Sequence, residues 1–429
     1  MQYLNKLKKL LKKFFAVPFF GFVKGHSHLS IEQIKEIKSK IKIIDKDLIK
    51  LFEEKFSEKV GKGKSVSFAT GRMGFYSLMK ILEIKPGDEV ILQGYTCSVM
   101  PNAIFRLGAT PIYADISLDT LGTNPISVKN LISKNTRMIV VQHSFGIPCE
   151  VEEIKKICKE RGIFLLEDCA ISLGSKVNGT SIGNFGDAAL YSFDHSKPIN
   201  AMTGGIIYST NNKLINLLIK NEENTEHLTE RYNQLIFNDF MRERKLCVPE
   251  KYGRNDLYKF YRNFSIKKYG YLEEDFEKKS SNSYPYPAKI PSLVAQIGIY
   301  ELERWDDELT KRKEMLGEFI NFFKRNGMKE HLPESYFDSS LEIVPSRLIL
   351  LHKNSEKIKE KFNSFLQTSW FWFTSPISEC QDPKDLGYVF GSCKNAETAC
   401  KEIINLPCVY EEKYNDFLFK KSLSFIKQF

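Results

Sequence analysis

Residues 163–170, IFLLEDCA, have the pattern of a hydrophobic strand that ends in two acidic residues, Glu167 and Asp168. Similar short runs rich in β-branched and aromatic residues recur along the chain, separated by stretches with helical periodicity. These runs are SVSF (65–68), EVILQGY (89–95), PIYADI (111–116), RMIVVQHSF (137–145) and GGIIYST (204–210). The alternation predicts βαβ units, and therefore an α/β domain whose mostly parallel sheet is covered by helices on both faces.

The length and composition favour a globular protein of two domains, since the chain has 429 residues and is 42% hydrophobic. It has no run of eighteen apolar residues, so we expect no membrane-spanning helix. Nine cysteines without a CxxC pair favour a reducing, cytoplasmic location over a disulfide framework or a metal site. The net charge of +10 is compatible with nucleic acid, an anionic membrane or phosphorylated substrates; we expect the last two and no nucleic acid.

The first 24 residues carry part of this charge. In MQYLNKLKKLLKKFF (1–15), apolar residues recur at helical spacing and lysines lie mostly on the other faces. This pattern is typical of a basic amphipathic helix on an anionic membrane surface, and equally of a helix docked on its own protein. A signal peptide is disfavoured by Pro18 and by the lack of a small-residue cleavage site.

The charge and the secondary-structure patterns change along the sequence and suggest three parts. Residues 1–60 form a charged, helical N-terminal extension, residues 61–305 the large domain, and residues 306–429 a smaller α+β domain. A mostly helical insertion interrupts the large domain at about 212–280. One long helix is predicted from about 292 to 326, because its apolar residues form a continuous stripe.

Three positions point to one cofactor when they are taken together. The turn 70–72 joins a strand to a helix, and the N-terminus of a helix binds phosphate well, although most such glycine turns have no ligand. Asp168 ends a strand where open α/β sheets place ligand-binding groups, although it could simply cap a helix. Lys197 follows the next strand. An anion site, a carboxylate and a lysine in this order match the needs of pyridoxal phosphate.

Four ordered blocks of the sequence resemble the DegT/DnrJ/EryC1/StrS family of sugar aminotransferases. The resemblance covers about residues 61–211 and 286–326. The blocks begin KPGDEVILQGYTC (85–97), VVQHSFGIPCEVE (140–152), NFGDAALYSFDHSK (184–197) and IPSLVAQIGIYEL (290–302). The resemblance implies the type I fold of pyridoxal-phosphate-dependent transferases, a small C-terminal domain and a homodimer.

The family's functional residues can be transferred position by position. The resemblance implies that Lys197 is the Schiff-base lysine and that Asp168 pairs with the pyridine nitrogen of the cofactor. Ser192 corresponds to a serine that binds the cofactor phosphate, and Gly71 and Arg72 occupy the phosphate turn. We therefore expect these five residues to form the cofactor site.

Other positions match the family's pattern less clearly. His143 falls on a recurrent family histidine, although a buried structural histidine would explain it equally well. Ile171 replaces a polar side chain that contacts the ring oxygen, and Cys97 replaces an aromatic side chain that stacks on the ring. The segment SYPYPAKIP (283–291), which a neighbouring subunit usually contributes to the site, is also altered.

The resemblance implies a reaction that moves an amino group from an amino acid, with glutamate as the expected donor, to a nucleotide-linked keto-sugar. Two alternatives remain open. One is a sugar dehydratase of the same fold, although the family's dehydratases replace the lysine with histidine. The other is a non-catalytic, membrane-associated member. The retained Lys197 favours transfer, whereas Ile171 and Cys97 favour weaker cofactor binding.

Overall fold

The computed structural model describes residues 18–254, 284–367, 373–408 and 412–429. Its helices are α1 (Ile31–Ser39), α2 (Lys46–Val60), α3 (Gly71–Ile81), α4 (Val99–Phe105), α5 (Pro125–Leu131), α6 (Val151–Arg161), α7 (Asn212–Glu223), α8 (Glu230–Leu246), α9 (Ser292–Glu303), α10 (Trp305–Arg325), α11 (Ser355–Phe362), α12 (Lys394–Glu402) and α13 (Glu412–Ile426). Its strands are β1 (Lys64–Phe68), β2 (Glu89–Gln93), β3 (Thr96–Cys97), β4 (Thr110–Ala114), β5 (Thr136–Gln142), β6 (Phe164–Asp168), β7 (Lys176–Val177), β8 (Thr180–Ser181), β9 (Ala188–Ser192), β10 (Gly205–Ser209), β11 (Glu226–His227), β12 (Ala288–Lys289), β13 (Leu341–Glu342), β14 (Arg347–Leu351), β15 (Ile377–Ser378) and β16 (Ile403–Pro407).

A seven-stranded sheet in the order β1-β10-β9-β6-β5-β2-β4 forms the centre of the fold. The strands from β9 to β4 pair in parallel, whereas β10 runs antiparallel to both of its neighbours. The strands are buried almost throughout, as expected for a sheet covered on both faces. The predicted α/β fold with a mostly parallel sheet is confirmed.

The register brings the predicted site residues to one edge of this sheet. Gly205 pairs with Phe68 on one side and with Ser192 on the other, so β1 and β9 end beside the start of β10. Asp168 pairs with Gln142, the last residue of β5. The carboxyl ends of β5, β6 and β9 therefore share an edge with the turn that opens α3.

The described residues form two large hydrophobic cores and one small cluster of Phe19, Val23, Cys247 and Tyr252. The larger core surrounds the central sheet. The smaller core packs α10, α11 and α13 against the antiparallel pair β14–β16, and includes Phe319, Phe323, Leu348 and Ile404. Most residues of this second core lie in the range 306–429 predicted as the small domain, while Phe373 and Ile377 of the same range pack in the larger core.

The N-terminal helices belong to the larger core as well. Phe52 and Phe56 of α2 are fully buried, and their rings lie 5.2 and 5.1 Å from the ring of Phe193. The predicted extension up to residue 60 is thus packed into the large domain from α1 onward. Its lysine-rich beginning, residues 1–17, lies outside the described residues, as do residues 255–280 of the predicted insertion.

The region predicted as one long helix forms two helices, α9 and α10, which meet at Arg304. Residues 292–302 of α9 are buried on every side, whereas α10 has one buried face. Helix α9 packs in the larger core, whereas the later residues of α10 pack in the smaller core. The two helices are therefore separated at Arg304, where the chain passes from one core to the other. None of the helices in the described ranges is both long and apolar enough to cross a membrane.

Candidate active site

The turn between β1 and α3 forms a close backbone cradle. The Thr70 hydroxyl accepts a hydrogen bond from the Met73 N–H and thereby caps α3. A Cβ atom on Gly205 would overlap the backbone of Gly71, so the turn needs glycine at position 205. A Cβ on Gly71 would lie 3.6 Å from the Ser192 hydroxyl. The start of the helix and Ser192 thus face each other closely enough to hold one anion.

The Arg72 side chain is bound within the protein. Its Nη2 donates a hydrogen bond to the Tyr284 hydroxyl at 3.2 Å, and the Tyr286 hydroxyl donates to its carbonyl at 3.4 Å. The backbone N–H of Ala69 donates to Ala288 in the same segment. Residues 284–288, which belong to the altered segment SYPYPAKIP, therefore support the turn before α3 of their own chain.

Asp168 lies at the end of β6 and is 6% exposed. Its Oδ1 accepts a hydrogen bond from the Ala170 N–H at 3.0 Å. Burial raises the pKa of this carboxyl, while the Ala170 N–H, the charge of Lys197 and that of His143 lower it to a smaller extent. A buried carboxylate with one such hydrogen bond suits a cationic partner.

Lys197 lies in the connection between β9 and β10. The connection is closed by backbone hydrogen bonds from Lys197 to Asp194 and from Ala201 to Phe193. The Lys197 side chain is half-buried. Its charge lowers the pKa of both Asp168 and Cys97. Strand β9, which precedes the Lys197 loop, pairs with β6 up to Asp168, so the loop leaves the sheet beside this carboxyl.

His143 follows β5, and both of its ring nitrogens are engaged. Nδ1 accepts the Cys149 N–H at 3.1 Å, so Nε2 carries the proton and donates to Glu167 at 3.2 Å. The ring is fully buried. This arrangement agrees with the structural interpretation of His143, because neither nitrogen is available for proton transfer.

Glu167 is a residue that sequence reasoning did not select for the site. Besides His143, its carboxylate accepts the backbone N–H groups of Gly183, Phe185 and Gly186 at 2.6–2.7 Å. It thereby joins the ends of β5 and β6 to the loop before β9. The available signal for Glu167 was its place in an apolar run beside Asp168. A carboxylate in such a run is buried, and a buried carboxylate needs several hydrogen-bond donors.

Cys97 contacts a second residue that sequence reasoning missed. Its thiol donates to the Glu379 carboxylate at 3.2 Å, and strand β3 pairs in parallel with β15 just before Glu379. Burial and then the Glu379 charge raise the pKa of the Cys97 thiol well above its usual value. The segment 376–379 thus covers the position where the family has an aromatic side chain. Ile171 is buried in the large core.

A pocket extends from Lys197 towards the small domain. One wall consists of residues 195–200, and the facing wall includes Arg312, Ser346 and Arg347. Residues 21–25 of the N-terminal segment close a third side. The pocket therefore joins the lysine loop, the small domain and the N-terminal segment.

Pyridoxal phosphate fits these residues. The cradle of Gly71, Arg72 and Ser192 offers backbone N–H groups and a hydroxyl to a phosphate. The buried carboxyl of Asp168 would be stabilised by a protonated ring nitrogen, and Lys197 lies near it. The positions of Cys97 and Ile171 supply no polar or aromatic contact of the kind the family usually has.

The comparison with known families agrees with this arrangement. The sequence model described as the DegT/DnrJ/EryC1/StrS aminotransferase family matches residues 26–416. The chain belongs to this family. The resemblance inferred from the four sequence blocks is thereby confirmed.

Two curated relatives of this family member carry the names of aminating enzymes. A GDP-perosamine synthase of Vibrio cholerae is 32% identical over 188 residues, which are 43% of this chain and 50% of that protein. A dTDP-4-dehydro-2,3,6-trideoxy-D-glucose 4-aminotransferase of Saccharopolyspora spinosa is 33% identical over 165 residues, 38% of this chain and 43% of that protein. The aligned stretches thus span about half the length of these relatives or less.

The fold of the family member also matches solved structures. A putative sugar aminotransferase of Streptococcus pneumoniae, in a form described as PMP-bound, superposes with a TM-score of 0.71 over 96% of this chain and 98% of that one. The sequence identity is 17%, so this likeness concerns the fold alone. The predicted type I transferase fold is confirmed.

Proposed function

We propose that this protein is a pyridoxal-phosphate-dependent aminotransferase that acts on a nucleotide-linked keto-sugar. The observation that carries the proposal is the meeting of Lys197 and Asp168 at the edge of the sheet where Ser192 faces the start of α3. The names of the two aligned relatives support the substrate class, since one names a GDP-linked sugar and the other a dTDP-linked keto-sugar.

The cofactor, when bound, supplies a conjugated ring that accepts the electron pair left when a proton leaves the carbon next to the amine. The carboxylate of Asp168 holds the proton on the ring nitrogen and so keeps the ring electron-poor. The cradle of Gly71, Arg72 and Ser192 fixes the phosphate and thereby the orientation of the ring.

Lys197 has two roles in this proposal. Its Nζ would hold the cofactor covalently and, when free of it, would carry the proton that moves during amino transfer. Both roles require an unprotonated amine for part of the cycle. Its half-buried location in a closed turn keeps that amine in place.

Glu167 and His143 act as positioning residues. The hydrogen bonds of Glu167 fix the ends of β5 and β6, and Asp168 is the next residue in the chain. The segment 376–379 replaces a stacking ring by a Cys97–Glu379 contact on the side of Lys197. We infer that this protein binds the cofactor ring less tightly than relatives with an aromatic side chain at the position of Cys97.

Amino transfer can be measured directly. The protein is loaded with pyridoxal phosphate and given glutamate in the absence of a sugar. The proposal predicts one 2-oxoglutarate per chain, together with the change in absorbance of a cofactor that has received the amino group. If none of the common amino acids reacts with the fully loaded protein, the aminotransferase proposal is wrong and a non-catalytic role is favoured.

The nucleotide-linked sugar is tested in a second step. The aminated protein is mixed with a panel of GDP-, dTDP- and UDP-linked 4- or 3-keto-sugars, and return of the original spectrum identifies the acceptor. A dehydratase would instead release water from the sugar and leave the cofactor aminated. We also propose that the protein is a homodimer and that the lysine-rich start of residues 1–24 contacts an anionic membrane.

A further inference from the structure

The segment 18–28, here called the N-terminal strap, crosses between the insertion and the small domain. Phe20 exchanges backbone hydrogen bonds with Phe365 and Gln367 of the small domain, and Gly25 donates to Cys247 just after α8. Asn200, three residues after the active-site lysine, donates to the carbonyl of Lys24. The strap thus touches the lysine loop, the insertion and the small domain before it reaches α1.

The end of the strap places two histidines on one carboxylate. Nδ1 of His26 lies 3.1 Å and Nε2 of His28 lies 2.9 Å from the same oxygen, Oε1 of Glu301 in helix α9. His26 and Glu301 are buried, and the His28 side chain is 20% exposed. Three donor atoms from two distant parts of the chain therefore meet within 4.8 Å of one another.

We propose that His26, His28 and Glu301 bind a divalent transition metal, with zinc as the best match. Two imidazoles and one carboxylate are a common zinc ligand set, and bonds of about 2.0–2.2 Å would need only a small separation of the donors seen here. Three protein ligands leave a fourth position for water. Glu301 also lines the pocket that contains Lys197, so solvent can reach this side.

The other His–Glu cluster shows what a purely structural arrangement looks like. Around His143, the Glu167 carboxylate already accepts three backbone N–H groups, and the second ring nitrogen accepts the Cys149 N–H. A metal there would have to break these bonds. Glu301 has no such backbone donors in the described part of the chain, and its two histidine contacts are the ones a metal would replace.

The tautomer of His26 can adapt to a metal. Its ring packs on Phe240 at 4.8 Å, and its Nε2 has no hydrogen-bond partner among the described residues. Nothing therefore prevents the proton from residing on Nε2, which would leave the Nδ1 lone pair for the metal. The ring orientation is held by packing, so the ligand atom points at Glu301 whether or not a metal is bound.

The surrounding charges act in both directions. Arg304 Nη1 lies 3.6 Å from the other oxygen of Glu301 and opposes a cation. The carboxylates of Glu308 and Glu243 interact electrostatically with Glu301 and His26, respectively, and favour a cation, but Glu308 is already paired with Lys24 and Arg312, and Glu243 with Arg242. A bound metal would fasten the strap to α9 and so fix the wall of the pocket that residues 21–25 form.

The test uses the full-length, untagged protein after treatment with a chelator. Titration with Zn²⁺ by calorimetry should give one site per chain, and Co²⁺ should give visible bands without the thiolate charge-transfer band that a cysteine ligand adds. His28→Ala should weaken binding on the order of 100-fold or more, since loss of an outer-shell partner alone costs 10–100-fold. His331→Ala, which removes a partly buried histidine of the small domain, should leave binding unchanged.

The proposal would be overturned by the absence of a stoichiometric site in wild type, or by equal affinities of wild type and His28→Ala. Glu301→Gln provides a second variant, because it keeps the shape of the side chain and removes its charge. Circular dichroism establishes that each variant is folded before titration. Failure of the metal to bind would not affect the amino-transfer assay, so the two proposals can be told apart.

Discussion

At the scale of single residues, Asp168 illustrates how a functional group costs stability. Its pKa is raised in the folded protein mainly by burial, so the folded state holds this proton to higher pH than the unfolded state does. The associated stability is present below the unfolded pKa and is lost as the pH rises through the folded pKa. We therefore expect Asp168→Asn to raise the melting temperature of the cofactor-free protein at neutral pH while abolishing amino transfer.

Thermal unfolding followed by circular dichroism from pH 4 to 8 checks this expectation. Glu167→Gln serves as the contrast, because this residue anchors three backbone N–H groups. Its loss should lower the free energy of unfolding by about 1–3 kcal/mol. If both variants lose stability equally, the assignment of Asp168 as the destabilised functional carboxyl is wrong.

At the scale of secondary-structure elements, helix α2 is joined to strand β1 by Glu53. Its carboxylate accepts the backbone N–H and the hydroxyl of Ser67, at 2.7 and 2.6 Å. Burial raises its pKa from 4.5 to about 7. Because the raised pKa belongs to the folded state, stability should fall as the pH rises from about 4.5 through 7, by up to about 3 kcal/mol.

Glu53→Gln should remove this pH dependence, since an amide oxygen can accept the same hydrogen bonds without ionising. Urea unfolding at pH 5 and pH 8 measures the difference. The matched control is Glu54→Gln on the exposed side of the same helix. A wild-type protein that is as stable at pH 8 as at pH 5 would contradict the burial of an ionising Glu53.

The cradle at the start of α3 is a second feature at this scale. A Cβ at position 205 would overlap the backbone of Gly71, which cannot move without disturbing the start of α3. Gly205→Ala should therefore destabilise the protein by roughly 1–3 kcal/mol and weaken cofactor binding. Gly317→Ala, where the added Cβ meets nothing within 4 Å, is the control. Equal thermal stability of Gly205→Ala and Gly317→Ala would contradict the predicted overlap at position 205.

How far the sequence predicts these elements depends on the range of the contacts. Local patterns were sufficient for the strands, for the turn before α3 and for selecting Asp168 and Lys197, whereas Ser192 was implied only by the family resemblance. The Cys97–Glu379 contact could not be predicted, because it joins residues 282 positions apart through a two-residue strand pair. The break at Arg304 was missed because the apolar stripe continues through both helices.

At the scale of the whole molecule, the N-terminal region combines two features. Residues 18–28 pack across the fold, and the lysine-rich residues 1–17 lie outside the described residues. Deleting residues 1–17 should leave folding and amino transfer intact and abolish binding to anionic vesicles at low salt, since each lysine contributes on the order of 1 kcal/mol. Vesicle co-sedimentation provides the measurement, and unchanged binding would exclude this contact.

The expected homodimer is also a property of the whole molecule. The family resemblance places the active site at a two-fold interface, so activity should require association. Sedimentation velocity and activity assays over a dilution series should show that the dimer and the activity are lost at the same protein concentration. Full activity from a monomer would contradict the expectation.

The most direct test of the central claim is chemical trapping at Lys197. The protein loaded with pyridoxal phosphate is reduced with borohydride, digested and analysed by mass spectrometry. We predict that the cofactor is found on the peptide that contains Lys197, and that Lys197→Ala, folded and equally loaded, carries none. Attachment of the cofactor to a different lysine in wild type, or an unchanged level of attachment in Lys197→Ala, would contradict the account.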